Sequence, residues 1–99
     1  MENRIKFMFN GLMLRFVEFS KEVEIAAPNF ELALRGLLER FPQLARVLLD
    51  GEGRVRRTHQ MFLNGESMEP RYYRDAQARS ELAIQQGDSV YVLTAVAGG

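Results

Sequence analysis

Apolar and polar residues alternate from Arg4 to Phe9, with Ile5, Phe7 and Phe9 apolar and Lys6 between them. A period of two with aromatic enrichment predicts a β-strand. Asn10-Gly11 follows, a tight-turn dipeptide. Val17/Phe19 and Val23/Ile25 then alternate with charged residues, so a second strand is expected to end near Ile25. Its start is open, because the turn fits either Asn10-Gly11 or the vicinity of Ser20-Lys21. From Phe30 the period changes. Phe30, Leu34, Leu37, Leu38 and Phe41 recur at helical spacing, with Glu31, Arg35, Glu39 and Arg40 polar. This predicts an amphipathic helix, capped by Asn29 with Glu31 well placed in its first turn. Pro42 stops it near Arg40 or Phe41.

A shorter helical piece is expected next, with Leu44, Val47 and Leu48 on one face, closed by the loop Asp50-Gly51-Glu52-Gly53. Thr58 to Leu63 reads as a strand and Asn64-Gly65 as a tight turn. Residues 69–80 are polar and irregular, partly helical after Asp75. Gly87-Asp88 makes a turn before Ser89 to Leu93, a segment rich in β-formers. The order strand, strand, helix, strand, turn-rich segment, strand outlines an α+β, β-grasp domain, a mixed sheet packed on one main helix. The expected core sets Phe30, Leu34, Leu37 or Leu38, and Phe41 against Ile5, Phe7, Phe62 or Leu63, Val90 and Val92. Residues 1–93 are expected to form the domain and residues 94–99 a flexible tail ending in Gly-Gly.

Composition narrows the function. Lys plus Arg and Asp plus Glu are 13 each, which argues against broad nucleic-acid binding. The absence of Cys removes disulfides, thiolate zinc sites and cysteine nucleophiles. No apolar run approaches a membrane span, and the N-terminus lacks a signal-peptide pattern. The chain reads as a soluble cytoplasmic domain, monomeric when free.

Side-chain catalysis is poorly supplied. His59 is alone and lies within a predicted strand, which favours a structural role. The serines fit no nucleophile elbow. Gly51-Glu52-Gly53 lacks the setting of a phosphate loop, and no metal site or bound cofactor is expected. Arg54, Arg56 and Arg57 form a basic loop cluster, either solvated or able to dock an acidic partner. What remains is the C-terminus. Ser89–Leu93 runs into Thr94-Ala95-Val96-Ala97-Gly98-Gly99 with no charged residue after Asp88. An α-carboxylate is ionised at neutral pH and is a poor electrophile until it is transferred onto AMP. Glycine leaves its carbonyl unhindered and accepts any backbone angle in a narrow channel.

The stretch Gly87-Asp88-Ser89-Val90-Tyr91-Val92-Leu93, followed by Ala95-Val96-Ala97-Gly98-Gly99, resembles the C-terminal signature of the MoaD/ThiS superfamily. It is most similar to its MoaD-like and CysO-like sulfur carriers. The first strand, the Leu37 to Pro42 run and Leu63-Asn64-Gly65-Glu66 occur in the order expected of that family. Thr94 replaces a proline common there, and residues 69–80 look longer than the corresponding segment. The resemblance implies a ubiquitin-like β-grasp fold and no enzyme activity of the chain's own. It implies adenylation of the Gly99 carboxylate by a MoeB/ThiF-like adenylyltransferase that consumes ATP. Conversion to a thiocarboxylate then serves a sulfur-accepting synthase, for cysteine or homocysteine, a thiolated metabolite or molybdopterin. Gly98, Ala97 and Val96 would thread into the partner. Leu93 and Val96, with the outer sheet face, would form the apolar docking patch. The alternative is a ubiquitin-like modifier joined to lysines through Gly99.

Overall fold

The alternation of Ile5, Phe7 and Phe9 places all three on one face of β1 (Asn3–Phe9), where each is buried. The computed structural model describes residues 2–94. After β1 come a 3₁₀ helix (Gly11–Phe16), β2 (Glu22–Ala27), α1 (Phe30–Arg40), α2 (Pro42–Leu48), β3 (His59–Leu63), β4 (Glu66–Ser67), α3 (Pro70–Arg74), α4 (Ala76–Glu81) and β5 (Ser89–Thr94). The sheet order is β2-β1-β5-β3-β4. β1 and β5 are parallel, and the other neighbours are antiparallel. This is the β-grasp fold, with the first and last strands adjacent at the sheet centre.

Register aligns the inward residues in rows: Val23, Phe7, Val90 and Leu63 form one, and Phe9, Val92 and Met61 the next. α1 lies over them and buries Phe30, Ala33, Leu34 and Leu37. The Phe30 ring stacks on Phe7 at 6.3 Å between centroids. Asn29 caps α1 by accepting a hydrogen bond from the Leu32 amide at 2.9 Å. Gly36 brings α1 close to β2, since a Cβ there would stand 3.2 Å from Ile25 Cγ2. Phe41, extended at φ −128° and ψ 80°, ends α1 as a residue before proline must. α2 then buries Leu44 and Leu48, with Val47 half-buried against the core.

Three expectations change. Neither Asn10-Gly11 nor Ser20-Lys21 makes a hairpin turn. Asn10 caps the 3₁₀ helix, its carboxamide accepting from the Gly11 amide at 2.7 Å. Val17 and Phe19 lie outside any strand: Val17 is buried, whereas Phe19 sits at φ 62° beside Glu18 at φ 54°. Met13 and Val17, both buried, are four residues apart, the spacing of one helical face. Second, Met61 supplies the buried partner on β3. Leu63 packs beside it, and Phe62 points to the other face. Third, residues 69–80 are largely helical. Pro70 starts α3 and Asp75 caps α4. Buried Arg79 pairs through Nε with Glu31 Oε1 at 2.6 Å and donates to the carbonyls of Tyr73 and Arg74 at 2.7 and 2.8 Å. Its buried charge is thus partnered by α1 and by the α3 backbone.

Candidate functional site

β5 alternates in the sheet centre. Val90 and Val92 point into the core, while Tyr91 and Leu93 point to the outer face. Met8, Tyr91 and Phe62 are direct cross-strand neighbours there. Leu93, 39% exposed, follows at the next outward position of β5, opposite Gln60. Together they form an uncovered apolar strip on the three central strands. It is bordered on the β2 side by ion pairs, Arg4 with Glu24 at 3.1 Å and Lys6 with Glu22 at 3.9 Å.

The C-terminal end of β5 is the root of the predicted tail. Thr94, expected to begin that tail, belongs to β5 and pairs with His59. Val96, Ala97, Gly98 and Gly99 lie outside the described residues. Two segments flank the root. Because β1 and β5 run parallel with Phe9 opposite Val92, the chain beyond Phe9 emerges at the same end. The 3₁₀ helix packs there against β5. Its segment exposes Leu12 at 58% and Phe19 at 74%, a feature the local pattern hides because Val17 and Phe19 alternate with a charged residue as strand residues do. On the other side, β3 is antiparallel to β5, so Arg56 and Arg57 precede His59 beside the root.

The basic loop is held by short-range polar contacts. Asp50 Oδ1 accepts from the amides of Glu52 and Arg54 at 2.8 and 3.0 Å. These bonds hold the Asp50 carboxyl below its ordinary range. Arg54 pairs with Glu52. Val55 is buried and bridges to Leu49. Arg56 and Arg57 are exposed and make no ion pair among the described residues.

His59 is buried at 4% exposure, and both its ring nitrogens are engaged. Nε2 lies 2.8 Å from the Val47 carbonyl. A carbonyl only accepts, so Nε2 carries the proton. Nδ1 is then the acceptor for the Thr94 hydroxyl at 3.2 Å. Desolvation pushes the His59 pKa down from 6.5, the Val47 bond opposes this, and the Arg56 charge adds to it. A neutral, fully bonded imidazole within the fold fits the structural role expected of it.

The opposite end of β5 is set by two linked turns. Gly87, at φ 88°, precedes Asp88, whose carboxylate accepts from the Gln85 amide at 2.8 Å and the Asn64 side chain at 3.0 Å. Asn64, at φ 52° before Gly65 at φ 85°, accepts in turn from the Ser89 amide at 2.9 Å. The Asn-Gly turn and the Gly-Asp turn therefore fix the start of β5 jointly. Among the described residues no cluster of His, Asp or Glu could hold a metal ion, and no helix is long and apolar enough to cross a membrane.

No family model matches the chain, and no curated protein matches it in sequence. Solved structures do match in fold. SAMP1 from Haloferax volcanii superposes with a TM-score of 0.78 at 17% identity, covering 98% of this chain and 100% of its own. A chain of the Amycolatopsis orientalis BexX/CysO complex gives 0.73 at 19% identity, covering 96% and 99%. The putative molybdopterin converting factor subunit 1 from Pyrococcus furiosus gives 0.66 at 14% identity, covering 95% and 99%. At these identities the likeness establishes a ubiquitin-like β-grasp fold over nearly the whole length of each chain.

Proposed function

We propose that this chain is a ubiquitin-like sulfur carrier whose working group is the carboxylate of Gly99. The observation that carries the reading is the placement of β5. The central strand ends at Thr94, five positions before Gly99 in the sequence, and carries an uncovered apolar face of Met8, Phe62, Tyr91 and Leu93. A partner can hold that face while the following residues enter its active site. The fold shared with a CysO complex and a molybdopterin converting factor subunit supports the same class.

The chemistry needs no side chain of this protein. The Gly99 carboxylate attacks the α-phosphorus of ATP held by a MoeB/ThiF-like adenylyltransferase, releasing pyrophosphate and forming an acyl-adenylate. Hydrosulfide supplied by a sulfide donor attacks that carbonyl and expels AMP, losing its proton and leaving a thiocarboxylate. The thiocarboxylate sulfur then passes to a biosynthetic synthase in the cytoplasm. Gly98, Ala97 and Val96 thread the channel, and Leu93 and Val96 complete the docking patch. A second reading, conjugation to lysines through Gly99, draws on the likeness to the small archaeal modifier protein SAMP1. It shares the activation step and differs in the acceptor.

The test is direct. The purified protein, incubated with such an adenylyltransferase, ATP and a sulfur donor, gains the mass of one oxygen-to-sulfur exchange. Deleting Gly99 sets the terminal carbonyl one residue short, about 3.5 Å from its place. Thiocarboxylate formation then falls by orders of magnitude, since reaction geometry tolerates little displacement. A folded deletion variant that reacts at the wild-type rate would refute the reading.

A further inference from the structure

We propose that His59 is a positioning residue, which latches Thr94 and fixes the point and direction from which the chain leaves the sheet. The inference rests on the carrier reading above. The inward positions of β5 are Val90, Val92 and Thr94. The first two are fully apolar, but the third carries a hydroxyl. Directly opposite it, β3 places His59, whose Nδ1 stands 3.2 Å from Thr94 Oγ1. The ring is itself held from behind. Its Nε2–H donates at 2.8 Å to the Val47 carbonyl in the last turn of α2, one of the helix-end carbonyls with no helical partner. The Tyr73 hydroxyl reaches the His59 carbonyl at 3.3 Å. The latch therefore ties the last described residue of β5 to α2, β3 and α3 together.

A strand end frays unless something holds it. Five residues follow Thr94 in the sequence, and an extended chain of that length reaches at most about 17 Å. A displaced exit at Thr94 has to be made up within those five residues, and a misplacement of about 1 Å at a reacting atom costs roughly a hundredfold in rate. Docking, by contrast, depends on the outer face, which the latch does not touch.

The experiment compares Thr94→Val, which keeps the β-branch and loses the hydroxyl, with Thr94→Ser, which keeps the hydroxyl. The activating enzyme's kcat and KM are measured for each chain. The expected result is a kcat about tenfold or more below wild type for Thr94→Val, with KM unchanged and thermal unfolding close to wild type. Thr94→Ser restores kcat. Nitrogen chemical shifts of His59 show the Nε2–H tautomer in wild type and in Thr94→Val, so the ring stays in place while its partner is removed. A folded Thr94→Val chain with wild-type kcat, or a loss shared equally by kcat and KM through unfolding, overturns the latch while the carrier reading stands. A wild-type chain that is never adenylated overturns the carrier reading first, and the positioning role falls with it.

Discussion

Phe7 and Met8 are neighbours in the chain but face different surroundings. Phe7 is fully buried, stacked on Phe30 and in register with Val23 and Val90. Met8 is half-buried, between Glu22 and Tyr91 on the outer face. The same contrast repeats along β5, where Val92 is buried and Leu93 is exposed. One sheet face is closed by α1 and carries stability. The other leaves apolar side chains in water, which adds little to the isolated fold and suits a surface to be covered by a partner.

The largest test of this division is Phe7→Ala. Removing a fully buried aromatic should cost about 3–5 kcal/mol, whereas Met8→Ala should cost about 1 kcal/mol or less. Equal losses in chemical denaturation would show that the outer face is as structural as the inner one. The reverse asymmetry should appear in activation. Leu93→Asp places a charge on the apolar strip, so the activating enzyme's KM should rise about tenfold or more. Unfolding should change by no more than about 0.5 kcal/mol, as for other exposed positions. Unchanged activation kinetics would remove Leu93 from the docking face.

The smallest effect concerns pH. Burial lowers the His59 pKa below 6.5 in the folded chain. The unfolded chain therefore binds the proton first as pH falls. The contribution is fully present above about pH 6.5 and is lost as pH falls through the folded pKa. Urea midpoints measured between pH 7.5 and pH 5 should fall in wild type, and His59→Gln should flatten that slope. A slope that survives the substitution assigns it to other groups.

Much of this was legible in the chain. Period-two alternation located β1, richness in β-formers located β5, helical spacing located α1, and Asn29 and Pro42 marked its ends, because each of these signals acts within a few residues. The 3₁₀ helix has no such local signature. Val17 and Phe19 fit a strand pattern locally, but Met13 and Val17 gain more by turning inward together. The parity of β3 was likewise undecided between Phe62 and Leu63, since in HQMFL either face could be apolar. Pairing with β5 settled it, placing Met61 opposite Val92 and leaving Phe62 beside Tyr91.

By itself, the sequence determined the main strands β1, β3 and β5, the main helix and the two Gly-containing turns around β5. These are properties of local periodicity, backbone preference and composition. Only the tertiary structure decided that Thr94 ends β5 opposite His59, and that the Val47 carbonyl, accepting from Nε2–H, fixes the ring's tautomer from the far side. It also decided that Arg79 is buried against Glu31, 48 positions away, and that Leu12 and Phe19 stand exposed at the root of the tail. Each depends on strand register or on contacts between distant segments, which no local pattern encodes.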